Sequence, residues 1–230
     1  MLDLDFGSIL ANFKYRRVLL SNMIKLIIFD LWQTLAYRDV EYSTTSMMLE
    51  KTKADIPKDK FVKIFEESIQ TRKWGSKFEA YENLCKNMGL EATEQNIKLL
   101  MNIRDKAEEE TKLYPHTIPM LKQLREQGYK TGLISNSSVF AVEQIKRKTN
   151  LLEYIDYPLF SFDVGVIKPN LKFFMKMLEI AKCKPKETIM VGDKLNDDVI
   201  PPKELGMNSI LYTDYETLKK ELASFGISIR

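Results

Sequence analysis

The fold of this chain is decided by residues 24–34, which read IKLIIFDLWQT. Residues 24–29 are apolar apart from Lys25, and Asp30 follows them directly. A short apolar run of this kind is typical of a parallel strand that is buried on both faces. Parallel strands deliver their C-terminal residues to the edge of the sheet where ligands bind, so Asp30 is the first candidate for a functional residue.

Similar short apolar runs recur further along the chain, at residues 131–134, 188–191 and 209–212. Helical patterns separate them, and one of these ends at Gly128. Strands and helices that alternate at short intervals predict an α/β fold. We expect a three-layer, Rossmann-like parallel sheet with helices on both faces.

Residues 37–112 interrupt this alternation, because they contain helical patterns and no convincing strand. Apolar residues at helical spacing begin just after Pro57, and a second helical face stops at Gly89. Thr93 is placed to cap a third helix. We therefore expect an all-helical cap domain inserted immediately after the first strand.

The expected domain boundaries follow from these patterns. An α/β core domain takes residues 23–36 and 113–230, and the helical cap domain takes residues 37–112. Residues 1–22 are expected to be an N-terminal extension or a short packed helix, and they make a poor secretion signal because their start is acidic and their apolar run is short.

The composition excludes several classes of protein and site. The chain carries 35 basic and 32 acidic side chains, and the net charge of +3 is too small to predict a nucleic-acid or membrane surface. Cys85 and Cys183 show no paired spacing, so we expect no disulfide framework and no zinc site, and a reducing cytoplasm as the location. A single histidine, His116, rules out a site with three histidine ligands. Nothing in these features indicates an oligomeric state.

Polar side chains gather at the predicted strand ends. They are Asp30 and Thr34 after the first strand, Ser135 and Asn136 after the second, Asp193 after the third, and Lys168 at a helix entrance. Carboxylates that converge on one edge repel one another unless a cation is bound between them. We therefore expect a divalent cation between Asp30 and Asp193, and an anion held by Ser135 and Lys168.

Four motifs carry these residues in order. They read DLWQTL at 30–35, LISN at 133–136, KP at 168–169 and VGD at 191–193, with Asp197 and Asp198 after the last. With these motifs the chain resembles the haloacid dehalogenase superfamily over nearly everything after Met23. The helical insertion resembles the small cap that this superfamily carries after its first motif.

The resemblance implies a reaction and a role for each matched residue. Asp30 would be the nucleophile and would form a covalent aspartyl intermediate. Mg²⁺ would be held by the side chains of Asp30 and Asp193 and by the backbone carbonyl of Trp32. Ser135 would hydrogen-bond the transferring group, and Lys168 would offset its negative charge.

Three further roles are implied less sharply. Thr34 would brace the loop of the first motif, and either Asp197 or Asp198 would orient the metal shell; the two spacings fit dehalogenases and phosphatases respectively. The candidate substrate-binding residues are Trp32, Ser135, Asn136 and Lys168, and Asn136 is also a candidate catalytic residue. Pro201-Pro202 departs from the relatives, and it indicates that the last helix of this region starts near residue 200.

Trp32 departs from the pattern of the phosphatases, which place an aspartate there as general acid and base. An indole cannot transfer a proton at neutral pH, and such catalysis contributes about 10²–10⁴ in rate. Three explanations stay open: another group or a water supplies the proton, the substrate has a good leaving group, or the reaction is not the hydrolysis of a phosphate monoester.

Two alternative chemistries use a residue other than aspartate at this position. The dehalogenases have an aromatic residue, but they work without metal and use a cap arginine, and no arginine occurs between Asp39 and Thr71. The phosphonatases keep magnesium and recruit a cap lysine, for which Lys73 is the candidate. Retained acidic ligands such as Asp193 favour phosphorus chemistry.

The leading hypothesis is therefore a Mg²⁺-dependent hydrolase that acts on the phosphoester of a small metabolite through Asp30. A 2-haloacid dehalogenase is the second hypothesis. A protein that binds a phosphorylated ligand with little turnover is the third, and Trp32 motivates it.

Overall fold

A computed structural model describes residues 24–230, and the predicted extension at residues 1–22 lies outside the described residues. Five parallel strands form the central sheet in the order β5-β4-β1-β6-β7. They are β1 Leu26–Phe29, β4 Lys130–Ser135, β5 Tyr157–Phe160, β6 Thr188–Gly192 and β7 Asn208–Leu211. This arrangement confirms the predicted α/β fold with a parallel sheet.

Helices cover both faces of the sheet, because the residues of β1 point alternately to its two sides. Ile27 and Phe29 pack in one apolar cluster, which contains residues of the helices α5 Thr117–Glu126, α6 Val139–Lys148 and α10 Tyr215–Ser224. Leu26 and Ile28 pack in the other, with residues of α8 Leu171–Ala181. The sheet therefore lies between two helical layers, as a three-layer fold requires.

Four helices follow β1, and they share an apolar cluster of their own. They are α1 Thr44–Thr52, α2 Lys58–Ile69, α3 Lys77–Asn87 and α4 Glu94–Glu109. Two predicted helix starts are confirmed. The helix α2 begins directly after Pro57, and the hydroxyl of Thr93 accepts a hydrogen bond of 3.2 Å from the backbone N–H of Asn96 at the start of α4. The boundaries of the cap domain stay a prediction.

The expectation of no strand within residues 37–112 is wrong at both ends of that segment. Two three-residue strands, β2 Ala36–Arg38 and β3 Thr111–Leu113, pair antiparallel there. Neither is long enough to show a period of two in the sequence, so the pattern could not reveal them. The pair brings the two ends of the helical segment together, next to the end of β1.

Two shorter α-helices lie in the second half of the chain. The helix α7 covers Ser161–Val164, and α9 covers Ile200–Glu204 with both prolines in its first turn. The predicted helix start near residue 200 is therefore confirmed, and a π-helical turn at Leu195–Val199 precedes it. Within residues 24–230, every helix is too short or too polar to cross a membrane.

Candidate active site

Three carboxylates meet at the C-terminal edge of the sheet. Asp30 directly follows β1, Asp193 directly follows β6, and Asp198 lies in the π-helical turn after it. One oxygen from each lies within 4.8 Å of those of the other two. Register explains the meeting, since Phe29 pairs with Val191 and the backbone N–H of Asp30 donates to the carbonyl of Val191 at 2.8 Å.

Lys168 reaches into this cluster from the loop before α8. Its Nζ lies 2.5 Å from Oδ1 of Asp30 and 2.5 Å from Oδ1 of Asp198, and the residue is only 5% exposed. Asn136 fixes the backbone of Lys168, because its Oδ1 accepts a hydrogen bond of 2.8 Å from the backbone N–H of the lysine. The structure therefore brings Asp30, Asn136, Lys168 and Asp193 together, as the sequence indicated.

Burial and repulsion shift the pKa values in the cluster. Burial raises the pKa of Asp30 to about 7, Lys168 opposes that rise, and Asp198 adds to it. Burial and the charge of Asp198 also raise the pKa of Asp193. Burial alone would lower the pKa of Lys168, but its contacts with Asp30 and Asp198 outweigh that effect and raise it. The carboxylates thus carry more negative charge than one ammonium balances.

The donor set fits a small divalent cation. Carboxylate oxygens are the ligands that Mg²⁺ prefers, and three of them lie close enough together to share one ion. Gly192 is part of this fit, because a Cβ on it would lie 2.4 Å from Cγ of Asp198. Only glycine lets Asp198 pack against the end of β6.

The structure separates Asp198 from Asp197. Asp198 is fully buried within the carboxylate cluster, whereas Asp197 lies 3.5 Å from the ammonium of Lys194 and outside the cluster. Of the two aspartates that the sequence left open, Asp198 is therefore the one that lies with Asp30 and Asp193, and its role at a metal stays a prediction.

Ser135 and Thr34 lie behind the site. Ser135 is fully buried, and its hydroxyl lies 2.9 Å from that of Ser137, which accepts a hydrogen bond of 2.9 Å from the indole of Trp32. Ser135 does not line the cavity described next. Thr34 is buried, and its hydroxyl has no hydrogen-bond partner among residues 24–230, so it does not brace the loop by a hydrogen bond there.

A cavity of about 170 Å³ opens above Asp30, between the sheet edge and the four helices. The sheet side contributes Asp30, Trp32, Gln33, Asn136, Lys168, Asp193 and Lys194. The other side contributes Arg38 of β2, Gln70 directly after α2, and Thr45, Val62, Phe65, Glu66 and Arg104 of the helices. Ligand cavities of proteins are commonly built in this way, between two packed units.

Sequence reasoning missed the residues of the far wall. Glu66 accepts a hydrogen bond of 3.1 Å from Asn136, and burial raises the pKa of its carboxyl group. It lies on the polar edge of a helix whose apolar face was predicted, and a helical period cannot tell which polar edge meets a second unit.

Two specific expectations need correction. No arginine lies between Asp39 and Thr71, but Arg38 directly before that stretch and Arg104 further along the chain both line the cavity. The absence of a cap arginine therefore no longer counts against a dehalogenase. Lys73 is exposed, lies 2.9 Å from Asp163 and does not line the cavity, so the structure does not place it as a catalytic lysine.

Comparison with known proteins places the chain in a family. The family described as haloacid dehalogenase-like hydrolase matches residues 24–206. A glyceraldehyde 3-phosphate phosphatase from Methanothermobacter thermautotrophicus is 33% identical over 98 residues, which are 43% of each chain. The pyrophosphatase PpaX from Bacillus mycoides is 33% identical over 86 residues, 37% of this chain and 40% of that protein. The chain therefore aligns with less than half the length of these curated relatives.

The fold has relatives among solved structures. A HAD family enzyme from Bacteroides thetaiotaomicron, solved as a magnesium complex, superposes with a TM-score of 0.63 over 85% of this chain and 98% of that one. The two sequences are only 21% identical, so the comparison shows that the two proteins share a fold and nothing more.

Proposed function

Since this chain belongs to the family of haloacid dehalogenase-like hydrolases, we propose that it is a Mg²⁺-dependent phosphatase of a small phosphorylated metabolite, with Asp30 as its nucleophile. The observation that carries the proposal is the meeting of Asp30, Asp193 and Asp198 around one point, with Lys168 beside them. The names of the two curated relatives, both phosphatases of small molecules, support the choice of phosphorus over halogen.

The first step is an attack by Asp30. A carboxylate oxygen of Asp30 forms a bond to phosphorus, the bond from phosphorus to the ester oxygen breaks, and the leaving oxygen takes the electron pair. Lys168 holds Asp30 in place and offsets the charge that gathers on the transferring group. A water molecule then attacks the aspartyl phosphate, which releases inorganic phosphate and restores Asp30.

The residues for a metal ion are already assembled. Asp30, Asp193 and Asp198 would hold it, with the backbone carbonyl of Trp32 as the further ligand implied by the resemblance. When bound, Mg²⁺ supplies a positive charge that polarises the phosphoryl oxygens and screens the carboxylates from one another.

Within this proposal, Glu66 supplies the proton that Trp32 cannot. Its carboxyl group lines the same cavity as Asp30, and burial raises its pKa, which keeps a larger fraction protonated near neutral pH. Asn136 donates to Glu66 and so fixes the orientation of the carboxyl group over the site.

Cys85 and Cys183 are both unpaired thiols, which suits the reducing cytoplasm in which we propose that the protein works.

The test compares two substrates with and without metal. We expect the purified protein to hydrolyse p-nitrophenyl phosphate with Mg²⁺, to stop when EDTA is added, and to release no chloride from chloroacetate. Asp30→Asn should lose at least about 10³-fold in turnover, because it removes the nucleophile. Asp39→Asn is the matched control, since Asp39 is an exposed aspartate whose one basic partner within residues 24–230 is Lys112.

Two results would overturn the proposal. Chloride release that resists chelation would identify a dehalogenase, in which Arg38 or Arg104 would hold the substrate carboxylate. Failure to hydrolyse any phosphate ester, by a folded protein that still binds phosphate, would identify a binding protein.

A further inference from the structure

Arg38 carries hydrogen-bond donors that nothing in the described part of the chain uses. Its Nε and Nη2 are shielded from solvent and have no hydrogen-bond partner among residues 24–230. The guanidinium lies over the indole of Trp32, 3.5 Å from the ring centre, and it lines the same cavity as Asp30. A buried donor without a partner is costly, so such a group is commonly explained by a ligand that completes it.

The charge around Arg38 is also incompletely balanced. Arg104 lines the same wall of the cavity, and its Nε donates to Glu108 at 2.8 Å. Burial and the repulsion of Arg104 lower the pKa of Arg38 from its ordinary value, and Glu108 opposes this. One buried carboxylate thus faces two guanidinium groups. An arginine keeps its proton under these conditions, so an excess positive charge remains on this wall.

This positive wall is distinct from the one at Lys168. The nearest charged groups of Lys168 are Asp30 and Asp198 at the sheet edge, whereas those of Arg38 are Arg104 and Glu108 of the helical segment. One cavity of about 170 Å³ therefore joins a cationic wall to the nucleophile and its lysine. A volume of this size admits a small molecule with groups at both ends.

We infer that Arg38 and Arg104 form a second anion site, which binds a carboxylate or a further phosphate on the same substrate whose phosphoryl group meets Asp30. A guanidinium presents its donors in a planar fork that matches both kinds of oxyanion. The substrate class is therefore a phosphorylated small molecule with a second anionic group. The inference rests on the proposed function for the reaction at Asp30, but not for the binding.

Gln70 adds a neutral contact to this site. The residue is 4% exposed, lines the cavity, and its Oε1 has no hydrogen-bond partner in the described segment 24–230. Its amide can face a substrate hydroxyl or oxyanion with either its oxygen or its nitrogen. Two unpartnered polar side chains on one wall point to a ligand more strongly than Arg38 alone.

The alternative is that Arg38 serves only to cover Trp32. Arg72 provides the comparison, because its guanidinium lies 3.7 Å from the ring centre of Trp74 in the same way, but it is exposed and does not line the cavity. If stacking were the whole role, loss of either arginine would leave ligand binding unchanged. If the inference holds, only Arg38 matters for ligands with a second anion.

The test measures binding and needs no turnover. Calorimetry with excess free Mg²⁺ compares methylphosphonate, which has one anionic group, with phosphonoacetate and with methylenediphosphonate, which have two. We expect the wild type to bind at least one of the two-anion ligands about 10- to 100-fold more tightly than methylphosphonate. A preference for phosphonoacetate would identify a carboxylate as the second group, and a preference for methylenediphosphonate a phosphate.

Three variants complete the test. Arg38→Met should abolish the preference while methylphosphonate binds as before, Arg72→Met should keep it, and Arg38→Lys should keep part of it because the charge remains without the fork. Equal binding of all three ligands by the wild type, or an undiminished preference in folded Arg38→Met, would overturn the inference. If Arg38→Met does not fold, Arg38→Lys decides, since a full preference in that variant contradicts a role for the fork.

The outcomes separate this inference from the proposed function. A preference for two-anion ligands in a protein that hydrolyses no phosphate ester would retain the anion site and reject the phosphatase. Hydrolysis of p-nitrophenyl phosphate without any such preference would do the reverse.

Discussion

Trp32 shows how one side chain can redirect a site. Its indole donates to Ser137 and lies beneath the guanidinium of Arg38. An aspartate at this position would face that guanidinium, which would lower the pKa of the carboxyl group and leave less of it protonated to act as a general acid near neutral pH. Trp32 is therefore compatible with the stacked guanidinium of Arg38, and the proton for the leaving group must come from another residue.

Glu66 is the residue on which this argument can be tested. We expect Glu66→Gln to lower turnover about 10²- to 10⁴-fold for alkyl phosphates, whose leaving oxygen needs a proton, and much less for p-nitrophenyl phosphate. The variant should also lose the fall in activity at high pH, because that fall reports the deprotonation of a carboxyl group whose pKa burial has raised. Steady-state kinetics over a pH series, with both substrates, gives the answer.

Glu67→Gln is the control for this substitution. Glu67 is the next residue of the same helix, its side chain is 53% exposed, and its basic partner is Lys63 at 3.9 Å. A loss of equal size for both substrates would mean that Glu66 positions Asn136 and transfers no proton. No loss for either substrate would remove Glu66 from the mechanism.

The residues that sequence could predict are those fixed by the sheet. Asp30, Asp193 and Lys168 follow from the rule that parallel strands end at one edge, together with the order of the motifs. Arg38, Glu66 and Arg104 depend on how the helical segment sits over that edge. This placement is set by side-chain packing between distant parts of the chain, and a helical period carries no information about it.

At the scale of elements, the sequence did not reveal the edge strand β5 or the three-residue strands β2 and β3. The edge strand β5 contains Pro158, which is tolerated there because an edge strand needs only half of its hydrogen bonds. β2 and β3 have three residues each. Long apolar runs such as β1 and β6 were visible because burial on both faces demands them.

An aromatic cluster links three elements near the mouth of the site. His116, at the start of α5, stacks between Tyr114 and Tyr215, with ring centres 5.6 Å and 4.2 Å away. Its Nε2 lies 3.1 Å from the hydroxyl of Tyr212, which follows β7. The cluster thus ties the helix start to the last strand and to α10.

This cluster predicts a dependence of stability on pH. Burial lowers the pKa of His116, so the imidazole takes up a proton less readily in the folded state than in the unfolded state. A positive charge at the start of a helix is also unfavourable. The contribution of His116 to the free energy of unfolding should therefore be largest at neutral and higher pH, and should fall as the pH drops through about 6.5, the ordinary value of histidine.

The measurement is denaturant unfolding of the wild type and of His116→Phe at several values between about pH 7.5 and pH 5.5. Phenylalanine keeps a flat ring in the stack but takes up no proton, so the variant should gain stability relative to the wild type as the pH falls. Because the chain has one histidine, no second imidazole confuses the comparison. The same pH dependence in both proteins would assign it to groups other than His116.

At the scale of the whole molecule, the site is an electrostatic compromise between two packed units. The sheet edge gathers more carboxylates than Lys168 balances, while the wall of Arg38 and Arg104 carries excess positive charge. Four basic and three acidic side chains line the cavity between them. A cation at one end and an anionic ligand across the cavity would relieve both imbalances together, so each should favour the binding of the other.

A cation bound at the carboxylate cluster should raise the thermal stability of the protein. Mg²⁺ that binds only the folded state at about 100 times its dissociation constant adds about 2.7 kcal/mol, which corresponds to a rise of roughly 5–10 °C in the unfolding midpoint for a chain of this size. Asp193→Asn should lose most of this rise, because it removes one of the three converging carboxylates. Without metal the same variant should be at least as stable as the wild type, since burial and Asp198 raise the pKa of Asp193 and its ionised form therefore costs the folded state.

Asp197→Asn should respond to Mg²⁺ like the wild type, because Asp197 lies against Lys194 outside the cluster. Differential scanning fluorimetry with Mg²⁺ and with EDTA distinguishes the cases, and a response lost in Asp197→Asn but kept in Asp193→Asn would move the cation away from the point where the strands meet.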